Sequence, residues 1–127
     1  MASSRPTLTQ SVDEVSRLIR AAIIEKIPLR AIYDGGERWL CPYMLGRNRE
    51  GRVRILCLQI GGDSASGLAR KEGHGDWRCL ALEKFRSVVP AATAWQAAGS
   101  VPHRPKCIHQ IELEVVDQPA PEPQKGQ

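Results

Sequence analysis

The fold is decided by three pieces of sequence: LRAIYDGGERWLCPYMLG at positions 29–46, GRVRILCLQIGG at 51–62 and DWRCLALEKFRSVV at 76–89. Each piece is rich in strand-forming residues, and turn signals separate them. The segment Asp34-Gly35-Gly36-Glu37 predicts a tight hairpin, because glycine readily adopts the positive φ that such turns require. Together these features predict a mainly β (α+β) protein with a small curled sheet that bears arginines, an architecture typical of a binding module.

The predicted strands cover 29–33, 39–45, 52–60, 77–82 and 85–89. Pro42 lies inside the second strand and has no amide donor, so it marks a sheet edge or a bulge. Leu56, Leu58 and Ile60 share one side of the third strand, and we expect that side to face the main core. The stretch 61–75 is a long Gly- and Ser-rich loop, a type that is often functional or mobile.

One amphipathic helix precedes the sheet. Ser11 and Glu14 form a capping box, in which each side chain can bond to the other residue's amide. Apolar residues follow at helical spacing: Val12, Val15, Leu18, Ile19, Ala22 and Ile23. Pro28 ends the pattern. We expect this stripe to pack in the core, with Leu18, Ile19 and Ile23 contacting the sheet together with Leu82.

The part of the chain after the sheet is less regular. Residues 91–98 are Ala-rich and predict two turns of helix, and 101–106 contains two prolines and predicts a linker. Residues 107–117 alternate apolar and polar side chains, which indicates a half-buried strand. The last residues, 118–127, are rich in Pro and Gln and predict a disordered tail, as the polar lead at 1–10 does.

Composition bounds the class of protein. The chain has 127 residues, a net charge of +4 and four widely separated cysteines. No Cys-x-x-Cys pair of the structural zinc type is present, so we expect four free thiols, no metal and no cofactor. No signal peptide and no apolar run of membrane-spanning length is visible, which predicts a cytoplasmic protein without membrane contact.

Catalytic constellations are hard to assemble from this sequence. It contains no nucleophile elbow, no P-loop and no carboxylate pair in a setting that would shift a pKa, and its three histidines are scattered. We therefore expect a protein that is not an enzyme.

Basic and aromatic residues interleave along the strands and are the candidates for binding. Arginine beside aromatic rings on an open β surface is typical of nucleotide and single-strand nucleic-acid sites, where phosphates are neutralised and bases stack. The alternative is a solvated strand face with occasional ion pairs. The candidate ligand-binding residues are Tyr33, Arg38, Tyr43, Arg54, Trp77, Arg78 and Lys84.

The order of these features resembles the WYL domain, and most closely the short stand-alone bacterial WYL-like proteins. The resemblance covers about residues 15–89 and includes Tyr33, the hairpin, Arg38, Pro42, the Gly51 turn, the Trp77-Arg78 pair and 80–85. It implies an SH3/Sm-like barrel that senses a nucleotide or nucleic acid, with ligand contacts at Tyr33, Arg38 and Lys84. The chain departs from the family in two places: it lacks the Trp-Tyr-Leu triplet and has Ala81 where the family has arginine.

The expected organisation is a disordered lead (1–10), one WYL-like domain (helix 11–27, barrel 28–90, C-terminal extension 91–117) and a disordered tail (118–127). Only one helix precedes the barrel, so recognition of DNA by a helix-turn-helix is not expected. The leading hypothesis is a regulatory module that binds a nucleotide or single-stranded nucleic acid and acts on a partner protein. The alternative is an interaction barrel that assembles homodimers or partner complexes without a small ligand.

Overall fold

The computed structural model describes residues 9–62, 76–97, 101–102 and 105–116. The predicted lead up to residue 8, most of the 61–75 loop and the C-terminal tail lie outside the described residues. One helix, α1 (Val12–Glu25), precedes the strands β1 (Leu29–Tyr33), β2 (Gly36–Arg47), β3 (Val53–Gly62), β4 (Asp76–Ala81), β5 (Phe85–Pro90) and β6 (Gln110–Glu114), with a 3-10 turn at Leu82–Lys84. The prediction of a mainly β protein with an N-terminal helix is confirmed.

The helix begins where the sequence places it. The Ser11 side chain accepts a hydrogen bond from the Glu14 amide at 3.0 Å, which satisfies one of the free donors of the first turn. The helix ends at Glu25, slightly before the predicted end, because Lys26 adopts a left-handed conformation with φ 58°. The buried face of α1 consists of Val15, Ile19, Ala22 and Ile23.

The sheet is antiparallel and has the strand order β4-β3-β2-β1-β5. The predicted hairpin joins β1 to β2, with positive φ at Asp34 (50°) and Gly35 (86°). Strand β3 pairs with nearly the whole of β2. The first half of β2 also pairs with β1 and the second half with β6, so β1 and β6 share the other edge of this 12-residue strand.

Pro42 lies at a bulge in a central strand. The β2–β3 register shifts between Pro42 and Met44, which fits a residue that cannot donate to the ladder. Pro42 pairs only with Cys57 of β3, in the gap between the part of β2 that pairs with β1 and the part that pairs with β6, so the bulge lies beside a locally unpaired edge.

The described strands form an open sheet, not a closed barrel. The end strands β4 and β5 are not paired with each other and are joined through the 3-10 turn. The sheet is nevertheless strongly curled. Strands β1 and β4 are separated by two strands in the sheet, yet the Ala81 amide of β4 donates a hydrogen bond to the Tyr33 hydroxyl of β1 at 2.9 Å. The expected closed SH3/Sm barrel is therefore not confirmed by this arrangement.

Apolar side chains cover both faces of the sheet. The inner face, on which α1 packs, contains Leu29, Leu40, Leu45, Ile55, Leu80 and Val88, and Leu18 and Leu82 join it as predicted. On the outer face, Leu58 packs with Cys41 and Tyr43, and Leu56 packs with Met44 and Ile108. The prediction that Leu56 and Leu58 pack in the same hydrophobic core as α1 is wrong. Both sides of β3 are apolar, so alternation could not tell which side faces α1.

The C-terminal extension covers the outer face. Residues 91–97 contain no helix, so the two helical turns predicted there are wrong over that range. Strand β6 is shorter than the predicted 107–117. Its residue Glu112 forms ion pairs with Arg47 (2.7 Å) and Arg20 (3.1 Å).

In the part of the chain that the structure describes, no helix is long and apolar enough to cross a membrane.

The described end of the N-terminal lead is bound to the sheet. The Gln10 amide donates to the Arg86 carbonyl, and the Gln10 side chain exchanges two hydrogen bonds with the Val88 backbone at 2.8 and 3.1 Å. Gln10 therefore covers the free edge of β5, and the prediction of disorder is wrong for this residue.

Candidate functional site

Arg38 is a nearly buried charge on the inner face. It lies opposite Ala31 in the β1–β2 ladder and is only 8% exposed. Its Nη1 donates a long hydrogen bond (3.4 Å) to the Gln59 Oε1, and its guanidinium carbon lies 4.8 Å from the centre of the Tyr33 ring. Among the described residues, its Nε has no hydrogen-bond acceptor and no carboxylate forms an ion pair with it.

The surroundings of Arg38 compensate only part of its charge. A cation–π contact contributes about 0.5 to 2 kcal/mol, and a hydrogen bond to a charged group about 1.5 to 3 kcal/mol at good geometry. Removing an ion from water costs several kcal/mol when no opposite charge is supplied. The position therefore favours an anion that comes from outside the described residues.

Tyr33 contacts Arg38 and is fixed by contacts with two further residues. Its hydroxyl accepts the Ala81 amide, its ring packs edge-on against Phe85 with a centroid distance of 4.8 Å, and the guanidinium of Arg38 lies over the ring. The ring is 7% exposed. Tyr33 thus acts as a platform for Arg38, and its ring is not open for a base to stack on.

Gln59 and Cys57 complete the surroundings of Arg38. Gln59 is 2% exposed, and its Nε2 donates to the Gly61 carbonyl at 3.2 Å, which directs Oε1 toward Arg38. Cys57 lies two residues earlier on the same side of β3. Burial raises the pKa of the Cys57 thiol, Cys41 adds to the rise, and the charge of Arg38 only partly opposes it. The thiol is therefore neutral and provides no counter-charge.

Arg78 belongs to the same end of the inner face. It lies opposite Cys57 in the β3–β4 ladder, where directly opposed side chains are about 5 Å apart. Arg38 lies opposite Gly62 in the β2–β3 ladder and reaches Gln59 from there, and its charge acts on the Cys57 thiol. We call Tyr33, Arg38, Cys57, Gln59 and Arg78 the Arg38 cluster.

Two other predicted basic residues lie elsewhere. Arg54 lies opposite Ala81 on the outer face and forms an ion pair with Glu83 at 3.3 Å. Lys84 is exposed in the 3-10 turn, where its carbonyl accepts the Asp34 amide at 3.0 Å. This places Lys84 beside the β1–β2 hairpin, near Tyr33 in the fold, while the structure does not bring Arg54 to the cluster.

The two remaining predicted residues, Tyr43 and Trp77, pack on the outer face. Their rings meet edge-on with a centroid distance of 5.1 Å, and Trp95 lies 5.0 Å from Tyr43 on another side. The Tyr43 hydroxyl donates to the Gln96 carbonyl at 2.8 Å. These aromatic residues hold the C-terminal extension on the sheet and lie on the other face from the Arg38 cluster.

Sequence reasoning missed Gln59 and Cys57 as members of the site. The available signal was a single polar residue inside the apolar run Leu58-Gln59-Ile60, because a buried amide is normally kept for a specific hydrogen bond. Its partner, Arg38, is 21 positions away in the sequence and is brought close only by the β2–β3 ladder.

Cys79 and Cys107 form a disulfide, which corrects the expectation of four free thiols. The bond joins the outer face of β4 to the segment that leads into β6. Cys41 and Cys57 are free and buried, and burial raises the pKa of both thiols. The correction follows from spatial proximity, which the spacing of the cysteines in the sequence did not reveal. No cluster of metal-binding side chains is present among the described residues.

Comparison with known proteins finds no matching family model, no matching curated protein and no matching solved structure. The WYL resemblance therefore rests on the residues quoted above.

Proposed function

We propose that this protein is a non-enzymatic module that binds a negatively charged ligand, a nucleotide or a single-stranded nucleic acid, and regulates a partner protein. One observation supports this most strongly: Arg38 is 92% removed from solvent, and the described residues supply it with no negative charge. An arginine in such a position is well suited to a phosphate, because its planar guanidinium offers several donors in a fixed geometry.

We also propose that the domain is a bacterial WYL-like domain of SH3/Sm-like type. The support is the N-terminal helix, the strand order β4-β3-β2-β1-β5 and the 3-10 turn between β4 and β5. Tyr33 and Arg38, where the family resemblance places ligand contacts, touch each other. Lys84, the third such position, lies at the nearby hairpin.

A non-enzymatic role is supported by the state of the reactive groups. The described thiols with shifted pKa values, Cys41 and Cys57, are shifted upward by burial, which disfavours the nucleophilic thiolate. The pKa of Glu112 is lowered chiefly by its hydrogen bond to Arg47, in a surface ion pair. None of these groups has the properties of a general base poised for chemistry near neutral pH.

A cytoplasmic location remains part of the proposal. It requires the Cys79–Cys107 bond to persist, or to be dispensable, in the presence of cellular thiols, since disulfides are uncommon in that compartment.

Fluorescence anisotropy with a labelled short single strand and with a labelled nucleotide, at several salt concentrations, tests the binding role. Affinity should fall with salt, with a slope of about −0.7 in log K against log salt for each phosphate neutralised on a single strand. Arg38→Gln and Arg78→Gln should weaken binding. Arg54→Gln is the matched control, because Arg54 is paired with Glu83 on the other face. If neither ligand binds at low salt, the binding proposal is refuted.

The alternative function, assembly of a homodimer or of a complex with a partner protein, is favoured by one feature. Among the described strands, β6 pairs with β2 alone, and Ile111 on β6 is 40% exposed. An edge strand with unpaired backbone groups can accept another chain. Sedimentation equilibrium over a range of concentrations decides this: a concentration-dependent dimer that Ile111→Lys abolishes would favour the assembly role.

A further inference from the structure

The proposed ligand class includes both compact nucleotides and extended strands, and these make different demands on a site. A strand laid across a sheet requires exposed aromatic rings for its bases and a line of unpaired cations for its phosphates. A terminal phosphate requires one small, strongly donating niche. Among the described residues, Arg38 Nε is a buried donor without an acceptor, which suits the second requirement, whereas the rings of Tyr33 and Tyr43 are buried, which does not suit the first.

The aromatic rings expected to stack bases are engaged by other side chains. Tyr33 is covered by Arg38 and Phe85, and Tyr43 is packed between Trp77 and Trp95 on the outer face. Tyr33 and Tyr43 are 7% and 5% exposed. A base could stack on either ring only after these contacts were broken.

Several surface arginines that could follow a phosphate backbone already form ion pairs, although five arginines share three carboxylates. Arg30 pairs with Glu37 at 3.3 Å, Arg47 and Arg20 pair with Glu112, and Arg52 and Arg54 pair with Glu83. Each of these arginines therefore has a carboxylate within ion-pair distance, which a strand phosphate would have to replace.

Arg38 differs from this group in burial and in partners. Its guanidinium is almost enclosed, it contacts only uncharged groups among the described residues, and its Nε is left without an acceptor. Arg78 lies on the same face, opposite Cys57 in the β3–β4 ladder, while Arg38 lies opposite Gly62 in the β2–β3 ladder. A tetrahedral anion at this end of the inner face could accept from Arg38 Nε and a terminal nitrogen together, a geometry that phosphate oxygens match.

We propose that the Arg38 cluster binds one terminal phosphate group end-on, as found on a nucleotide or at the 5′ end of a phosphorylated single strand, and does not hold internal phosphates of a strand. Gln59 is a positioning residue: its bond to the Gly61 carbonyl directs its Oε1 to Arg38 Nη1 and so leaves the Nε side of the guanidinium for the ligand. This inference rests on the proposed function, because it specifies the ligand of the same site.

The test compares two short single strands of the same sequence, labelled at the 3′ end, one with a 5′-phosphate and one with a 5′-hydroxyl. The full chain should bind the phosphorylated strand at least about tenfold more tightly, as expected for one additional charge-assisted contact. Inorganic phosphate should displace it more strongly than chloride does at the same ionic strength, because only phosphate competes for the cluster as well as screening charge. Arg38→Gln should remove the preference, and Arg54→Gln should retain it.

The outcomes separate this inference from the proposed function. Equal binding of the two strands would overturn the end-on site and leave the binding module intact. No binding of either strand, or of a labelled nucleotide, would overturn both.

A measurement of thermal stability shows whether a loss of binding comes from unfolding of the variant. Because the described surroundings of Arg38 hold no negative charge, Arg38→Met should leave the thermal midpoint of the ligand-free protein unchanged or raised, and inorganic phosphate should stabilise the wild type but not the variant. A large fall in the midpoint of Arg38→Met would mean that the charge is already compensated within the protein, and the proposal would be wrong.

Discussion

Breaking the Cys79–Cys107 disulfide should lower the stability of this protein by a large and calculable amount. The two cysteines are 28 residues apart, and closing a loop of that length in the unfolded chain corresponds to about 3.6 kcal/mol in the chain-entropy model. Domains of this size are typically stable by about 5 to 15 kcal/mol, so the bond would account for a considerable fraction of the total. With a urea m-value of about 1.5 to 2 kcal/mol/M, the unfolding midpoint should fall by about 2 M.

Urea titration of the wild type with and without dithiothreitol measures this fall. The double variant Cys79→Ser/Cys107→Ser is the control: it should resemble the reduced wild type and should not respond to the reductant. Cys79 is exposed, so serine at that position adds little strain. Thiol titration in denaturant without reductant should find two reactive groups, from the buried Cys41 and Cys57. Four reactive thiols, or a midpoint that the reductant does not move, would refute the reasoning.

Three further predictions concern packing and charge. Gly46→Ala should lower the unfolding free energy by about 1 to 3 kcal/mol and speed amide exchange in β6, because a Cβ there would clash with the Gln110 carbonyl oxygen and lie 2.6 Å from the Ile108 side chain. Glu112→Gln should lower stability near pH 6 by about 0.2 to 1 kcal/mol per exposed ion pair, whereas Glu114→Gln should not. The folded pKa of Glu112 is below its ordinary value, so its contribution to the free energy of unfolding is fully present above about pH 4.3 and is lost as the pH falls through the folded pKa. The free energies of unfolding of the two variants should therefore converge in acid. Leu56→Ala should cost about 2 to 5 kcal/mol in urea unfolding, and an unchanged midpoint would contradict the packing of the outer face.

Local signals in the sequence were sufficient for α1 and the hairpin, although they predicted helical turns at 91–98 where the structure has none over 91–97. The capping residue Ser11, the three-and-four spacing of apolar residues in α1 and the Asp34-Gly35 turn act over a few neighbouring residues, and the structure has each where it was predicted. At Pro42 the missing amide donor predicted an edge or a bulge, and the register shift in the structure shows the bulge.

The membership of the site was only partly predictable. Tyr33, Arg38 and Arg78 were singled out by type and position, and the ladders place them at one end of the inner face. Arg54 has the same chemical type, yet Glu83 pairs with it on the other side of the sheet. Residue type is visible in a sequence, whereas the face of a strand that meets the helix is decided only when the sheet curls and α1 packs on it.

The sequence alone therefore determined the local conformations: one helix, several strands and the hairpin. Tertiary structure decided three other features, namely which apolar side of β3 faces α1, that Cys79 meets Cys107, and that Arg38 is enclosed beside Gln59 without a counter-charge among the described residues. The physical reason is the range of the interactions. Backbone propensities and caps depend on neighbours in the chain, while burial, disulfide contact and the cost of an enclosed charge depend on residues that only the folded sheet brings together.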